Sequence, residues 1–131
     1  MNPKQQHALE VRNTDLQGAV QRLGGNEQLY LSCLSMFLED STIVDLNRAI
    51  KAKSGDDAFT AAHALKGLAG NMGFIPLMHS TSQLVIMIRG GRIKELSEYM
   101  TQVNSSYRDI VDAIRENFGE NTKGEKNESK R

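Results

Sequence analysis

The residues of this sequence that are best suited to chemistry lie in one short run, where His63 is followed by Lys66, Gly67 and Gly70. A neutral imidazole nitrogen is a competent nucleophile near neutral pH. Transfer of a phosphoryl group to such a nitrogen adds negative charge, which a neighbouring ammonium group offsets. The run therefore predicts nucleophilic chemistry at His63, with Lys66 as its electrostatic partner.

One helix must present these residues. Ser54-Gly55-Asp56-Asp57 has the spacing of a capping box with Asp in place of Glu, and predicts a helix that runs to about Met72 and ends at Gly73. At 100° per residue, a buried stripe lies within about 60° of Leu65. That stripe consists of Ala58, Ala61, Ala62, Leu65, Leu68, Ala69 and Met72. His63 falls at about 160° from Leu65, so its imidazole is predicted to point away from the core.

The two glycines beside His63 are unusual inside a helix. Each glycine costs about 1 kcal/mol relative to alanine in a helix interior. Gly67 at about −160° and Gly70 at about 140° lie on the same outward face as His63, where packing does not require them. We therefore predict that both glycines leave room for a second protein to bring a reacting group to the ring.

The rest of the chain must supply the elements that hold this helix. A short first helix begins near Asn13-Thr14-Asp15 and ends at Gly24-Gly25. A second begins after Asn26, and its apolar pattern changes at Asp40-Ser41, which fits either one kinked helix or two in succession; we favour the kinked helix. Pro76 is suited to the first turn of a later helix that Gly90-Gly91 closes. Its core stripe is Leu77, Thr81, Leu84 and Ile88, and the stripe of the last helix is Ile93, Leu96, Met100, Val103, Tyr107, Ile110 and Ile114.

These patterns predict an all-α fold, because no segment shows the sustained alternation of a half-buried strand. Short connections make neighbouring helices antiparallel, so we expect an up-down four-helix bundle with a short extra N-terminal helix. We assign residues 1–12 to an N-terminal tail, 13–118 to the bundle, and 119–131 to a disordered polar tail.

Composition limits the classes of function. The 131 residues carry 16 basic and 16 acidic side chains, which gives no indication of a nucleic-acid or membrane partner. A single cysteine excludes an internal disulfide and fits a reducing compartment, so we expect a cytoplasmic protein. The N-terminus lacks an apolar signal-peptide core, and no apolar run is long enough to span a bilayer. No metal-ligand or phosphate-loop spacing is present, so we expect no metal and no cofactor.

The run His63-Ala64-Leu65-Lys66-Gly67-Leu68-Ala69-Gly70-Asn71-Met72-Gly73 strongly resembles the core motif of histidine-containing phosphotransfer (HPt) domains, usually written HxLKG. The resemblance extends to Leu23-Gly24-Gly25-Asn26-Glu27, to Met36-Phe37-Leu38 and to the spacing of Leu77 and Leu84. It covers roughly residues 14–117.

The resemblance implies a phosphorelay intermediate rather than an enzyme. His63 would accept a phosphoryl group from the aspartate of a response-regulator receiver domain and pass it to another receiver. The implied partners are receiver domains and a hybrid sensor kinase, and the Mg²⁺ would belong to the receiver. We expect a monomer. Both a free-standing protein and an excised terminal piece of a hybrid kinase fit a chain of this length.

We expect partner docking at Gly67, Gly70, Phe59, Phe74 and Arg89, the last at a position that is sometimes basic in the family. Two positions depart from the family pattern. Val85 stands where members usually have an acidic or amide residue, and Phe74 stands where they prefer a small one. If the helix continues that far, Phe74 lies near 180°, on the His63 side.

The alternative function is a phosphorylation-independent helical adaptor that docks on or sequesters receiver-like proteins. The intact His63-Ala64-Leu65-Lys66-Gly67 motif argues against it. A nucleophile and base pair of Cys33 with His63 is also disfavoured, because Cys33 belongs to an apolar stripe.

Overall fold

The computed structural model describes the backbone of residues 1–130 and the side chains of residues 1–93 and 95–118. The elements are α1 (Pro3–Glu10), α2 (Leu16–Arg22), α3 (Glu27–Glu39), α4 (Thr42–Lys51), α5 (Gly55–Met72), α6 (Ile75–Arg89), a 3₁₀ turn (Ile93–Glu95) and α7 (Ser97–Lys130). The described backbone contains no strand apart from an isolated bridge between Thr14 and Phe74. The all-α prediction is confirmed.

The N-terminus is a helix where the sequence predicts a tail. The Asn2 side chain accepts from the backbone N–H of Gln5 at 2.8 Å, and the Gln5 side chain accepts from the backbone N–H of Asn2 at 2.9 Å. This capping box, with Pro3 in the first turn, starts α1. Leu9 is fully buried, and Gln5 donates to the carbonyl of Asn117 at 3.1 Å, so α1 packs against α7.

The segment after Asn26 forms two helices, so the favoured single kinked helix is wrong. Asp40 adopts an extended backbone with ψ 135°, and its carboxylate accepts from the backbone N–H of Thr42 at 2.8 Å. A short polar side chain that bonds to nearby backbone offers the chain an alternative to the helical ladder. The chain therefore leaves α3 at Asp40 and starts α4 at Thr42.

Helix α5 has the predicted bounds. It begins after Ser54, although the Ser54 side chain makes no capping hydrogen bond, and Asp56 and Asp57 place negative charge at the positive end of the helix dipole. Gly73 ends the helix in the left-handed conformation with φ 79°, which glycine adopts without steric cost. The small buried stripe Ala58, Ala61, Ala62, Leu65, Ala69 and Met72 allows neighbouring helices to approach closely.

Helices α5 and α6 pack in antiparallel directions. Gly70 near the end of α5 meets Met78 near the start of α6, and Phe59 near the start of α5 meets Arg89 at the end of α6. Helix α4 packs on another side of α5, and α7 packs against α6 and α1. The predicted core stripe of α6 is buried at Leu77, Thr81, Leu84 and Ile88.

Helix α7 begins later than the apolar spacing suggests, because Ile93 lies in the 3₁₀ turn and Leu96 precedes the helix. Both residues still contribute apolar surface, and Leu96 is almost completely buried. The helical backbone continues through Lys130, where the sequence predicts a disordered tail from Gly119. The side chains of 119–131 lie outside the described residues, and the disorder of this segment stays a prediction.

Candidate functional site

His63 lies on the exposed face of α5, on the side opposite to the buried alanine stripe. Lys66 and Gly67 are exposed on the same helix within one turn of His63. The buried stripe fixes the rotation of α5 about its own axis, because turning the helix would expose Leu65 and bury charged residues. The imidazole is therefore exposed to solvent on a helix whose opposite face is packed in the core.

The imidazole of His63 stacks on an aromatic neighbour. The ring centroids of Phe59 and His63 lie 5.8 Å apart with 29° between the planes. These residues are four apart on α5, the spacing at which side chains on a helix meet. The guanidinium carbon of Arg89 lies 5.6 Å from the centroid of the same Phe59 ring, within the range of a cation–π interaction. Phe59 thus connects His63 on α5 with Arg89 on α6.

Two cations on α5 and α6, Lys66 and Arg89, have no acidic partner among the described side chains. Lys66 makes no hydrogen bond with those side chains either, and the interaction of Arg89 is the one with the face of Phe59. Other arginines are engaged elsewhere: Arg48 lies 3.8 Å from Asp45, and Arg92 lies 2.8 Å from Glu95. The surface around His63 therefore carries positive charge that the described residues do not neutralise. Such charge would stabilise an anionic group bound to the ring.

The two glycines differ in their surroundings. Apart from the two adjacent residues and the nearby backbone of α5 itself, no heavy atom lies within 4 Å of the position that a β-carbon would take at Gly67, so the space beside His63 is open there. At Gly70 the corresponding position lies 3.2 Å from the Sδ of Met78. The Met78 side chain of α6 therefore occupies part of the space beside Gly70, which is half-buried, and this corrects the prediction that Gly70 leaves room for a partner. The absent side chain at Gly70 instead gives room to the end of Met78.

Phe74 is a core residue, which corrects its prediction as a docking residue. The side chain is 1% exposed, and its ring meets Phe37 edge-on at 5.0 Å between centroids. Helix α5 stops at Met72, and the left-handed turn at Gly73 redirects the chain, so the helical angle calculated for position 74 does not apply. Phe74 lies instead at the N-cap of α6 and faces inward.

Val85 is level with His63. Gly70 meets the end of Met78 and Phe59 meets the end of Arg89, and this antiparallel pairing places position 63 of α5 near the level of position 85 of α6. Val85 is 4% exposed and has no polar side-chain atom. None of the described side chains forms a hydrogen bond with the ring nitrogens of His63.

Sequence reasoning missed Ile86, which is 68% exposed on α6 next to Val85. A signal was present. Leu84 to Ile88 is a run of five apolar residues, and successive residues of a helix are 100° apart, so one of the five has to face solvent. Ile86 is thus an exposed apolar side chain one residue from Val85 on α6.

Within residues 1–93 and 95–118, no group of three or more His, Cys, Asp or Glu side chains is arranged to hold a metal ion. None of the described helices combines the length and apolar composition needed to cross a bilayer.

The model of the Hpt domain family matches residues 33–117, more than half of the chain, and this match includes the whole run from His63 to Gly73. The chain therefore belongs to the Hpt domain family, whose members are phosphocarrier modules of phosphorelay signalling. No curated protein and no solved structure matches the chain.

Proposed function

We propose that this protein is a phosphorelay intermediate that accepts a phosphoryl group on His63 from the aspartyl phosphate of a receiver domain and passes it to the aspartate of another receiver. Membership of the Hpt family supports a role in histidine phosphotransfer. The observation that carries the assignment to His63 is its exposure on α5, beside the open position at Gly67.

In the accepting step, the lone pair of a ring nitrogen of His63 forms a nitrogen–phosphorus bond. The oxygen–phosphorus bond of the aspartyl phosphate breaks, and the aspartate leaves as a carboxylate with that electron pair. The second transfer is the reverse of the first on another receiver. Residues that act in both directions must stabilise the phosphoryl group itself, which carries its charge on the oxygens that do not react.

Lys66 and Arg89 are suited to that task. Lys66 is exposed one turn from His63, and neither cation has an acidic partner among the described side chains. Because an ammonium or guanidinium group favours a neighbouring dianion, we assign Lys66 to charge compensation on the phosphorylated ring. Arg89 contributes to the same field from α6 and to docking of the receiver.

The proposed architecture is an up-down four-helix bundle whose columns are α3 continued by α4, α5, α6 and α7. The antiparallel contacts of α5 with α6 and the packing of α7 against α6 support it. Helices α1 and α2 then pack across the bundle, in place of the one short helix that the sequence predicts. A bundle of this kind presents His63 on a rigid helix rather than on a loop.

We further propose a monomeric cytoplasmic protein that works with receiver domains and a hybrid sensor kinase and that uses no cofactor of its own. The single cysteine, Cys33, fits a reducing compartment. The balanced formal charge gives no support for nucleic-acid binding.

The test uses a panel of receiver domains phosphorylated with acetyl phosphate. Incubation with the wild-type protein should yield an acid-labile, alkali-stable label on the protein. His63→Gln should take no label and keep its helical circular dichroism, because the side chain lies outside the core. His79→Gln is the matched control, since His79 is also exposed and forms its hydrogen bond with Gln83 on its own helix.

Retention of label by His63→Gln would contradict the assignment. Binding of a receiver by the wild-type protein without any label, from every member of the panel, would favour the adaptor instead.

A further inference from the structure

The imidazole of His63 lacks the kind of support that usually orients a reactive histidine. An imidazole is commonly held by a hydrogen bond from one ring nitrogen to a carboxylate or carbonyl. Here none of the described side chains bonds to either nitrogen, and the residue level with His63 on α6 is the apolar Val85. An exposed ring without such a bond would rotate among its staggered orientations.

The contact that His63 does make is with Phe59. The distance of 5.8 Å between centroids and the angle of 29° describe offset stacking, an arrangement that aromatic pairs favour. Phe59 is itself restrained, because it is half-buried against the core and because Arg89 lies over its ring. A restrained ring on one side of His63 limits the orientations that the imidazole can adopt.

We infer that Phe59 is a positioning residue, which orients the imidazole of His63 by stacking where the side chains of residues 1–93 and 95–118 supply no hydrogen bond. The inference rests on the proposed function and deepens it. It also changes the sequence-based view of Phe59 as a docking residue. A docking residue affects how tightly a receiver binds, whereas a positioning residue affects how often the ring is aligned for the chemical step.

The two roles are separated by a phosphoryl donor that is too small to dock. Phosphoramidate is such a donor. A ring nitrogen of His63 bonds to its phosphorus, the phosphorus–nitrogen bond of the donor breaks, and the protonated leaving nitrogen departs as ammonia. The imidazole gives its N–H proton to water. No surface of a partner protein is involved, so a residue that only docks receivers has no effect on this rate.

The experiment compares wild type, Phe59→Leu and Phe59→Tyr. Leucine keeps the apolar contact with the core and removes the ring, whereas tyrosine keeps the ring. Thr60→Ala is the control at the neighbouring position, because the Thr60 hydroxyl donates to the carbonyl of Asp56 at 3.1 Å and does not contact His63. Circular dichroism establishes that each variant is folded. Proton NMR of the His63 ring is recorded without any donor, and the rate of labelling by phosphoramidate is then measured.

Phe59→Leu should remove the ring-current shift of the His63 protons and slow labelling by about two- to tenfold, the range expected for loss of one aromatic pair. Phe59→Tyr should restore both, and Thr60→Ala should change neither. Unchanged His63 signals in Phe59→Leu, or an unchanged labelling rate with a small donor, would overturn the inference. If the wild-type protein takes no label from phosphoramidate or from phosphorylated receivers, the proposed function fails; equal labelling of wild type and Phe59→Leu rejects only the role of Phe59.

Discussion

The Sδ of Met78 lies 3.2 Å from the position that a β-carbon would take at Gly70, so the Met78 side chain of α6 covers part of the surface of α5 there. Gly67, three residues earlier on the same helix, has no heavy atom within 4 Å of the equivalent position apart from its chain neighbours and the nearby backbone of α5. Both glycines follow His63 on α5, but they have different surroundings. Gly70 gives room to the Met78 side chain of α6, and Gly67 leaves open space one helical turn from the imidazole.

Gly70→Ala tests the packing role of this glycine. Alanine gains up to about 1 kcal/mol of helix propensity, but Met78 must move to admit the new methyl group, so we expect little net change in the free energy of unfolding. The rate of phosphoryl transfer should also change little. Urea denaturation measures the free energy of unfolding, and a transfer time course measures the rate.

The control repeats Gly70→Ala in a protein that also carries Met78→Ala. With the long side chain removed, Gly70→Ala should stabilise the protein by more than it does in the wild-type background, because nothing has to move. If Gly70→Ala folds but no longer accepts a phosphoryl group from a receiver, Gly70 belongs to the surface through which the partner approaches.

A second prediction concerns Tyr30, whose buried hydroxyl donates to the carbonyl of Met72 at 2.8 Å, at the end of α5. Tyr30→Phe leaves that carbonyl without its partner and should lower the free energy of unfolding by about 1–2 kcal/mol at pH 7. Tyr30→Phe should lower stability and leave the rate of phosphoryl transfer unchanged, since Tyr30 lies in the core and His63 at the surface.

The effect of Tyr30→Phe should also depend on pH. Burial raises the pKa of the Tyr30 hydroxyl above its ordinary value of 10. Below pH 10 the folded and unfolded states both hold the proton; above it the unfolded state releases the proton first, so the wild type loses stability as pH rises. The gap between wild type and Tyr30→Phe should therefore shrink above pH 10. Urea denaturation from pH 7 to 11 checks this, and a constant gap would contradict it.

The bounds of α5 and the exposure of His63 could be predicted because both depend on one helix. The period of 3.6 residues orients each side chain about the axis, and Gly73 marks the end of the pattern. Phe74 could not be assigned in this way, since its calculated angle assumed a helix that the left-handed turn at Gly73 interrupts. Gly70 was misassigned for another reason: its exposure depends on where Met78 of α6 lies, which periodicity along α5 does not determine.

Helix α1 was missed because its apolar content is small. Only Ala8 and Leu9 provide buried apolar side chains between Pro3 and Glu10, too few for a recognisable stripe. The informative signal was local: Asn2, Pro3 and Gln5 have the types and spacing of a helix start. The break between α3 and α4 likewise depends on a single side-chain bond from Asp40, which competes with the helical ladder and leaves the apolar periodicity on either side unchanged.

A third prediction concerns Lys66, which is exposed and makes no ion pair among the described side chains. Lys66→Ala should slow transfer from a phosphorylated receiver, because the charge of the phosphoryl group on His63 loses its nearest compensation along α5. Stability should change by less than about 0.5 kcal/mol, since a solvated lysine contributes little to packing. Lys51→Ala, at an exposed position of α4, is the control for loss of one positive charge.

The effect of Lys66→Ala should decrease as salt increases, because mobile ions screen exposed charges. Equal transfer rates for wild type, Lys66→Ala and Lys51→Ala at low salt would show that Lys66 does not compensate the charge of the phosphoryl group.

The most discriminating prediction concerns Gly67, where stability and transfer should change in opposite directions. A β-carbon at Gly67 would meet open space, so Gly67→Ala should stabilise the protein by up to about 1 kcal/mol through helix propensity. Gly67→Gln should fold as well, because solvent occupies the space that its side chain would fill. Both variants should nevertheless slow transfer from a receiver, Gln more than Ala, since the aspartate of the receiver must come within bonding distance of His63.

Phosphoramidate provides the control for Gly67. Because it is small, it can reach His63 even when a side chain at position 67 blocks the approach of a protein. We expect Gly67→Gln to take label from phosphoramidate at close to the wild-type rate while transfer from a phosphorylated receiver falls by about tenfold or more. A thermal melt on the same samples records stability. Unfolding of Gly67→Gln would show that the glycine is required for packing. Normal transfer from the receiver by a stable Gly67→Gln would instead show that the partner reaches the imidazole from another side.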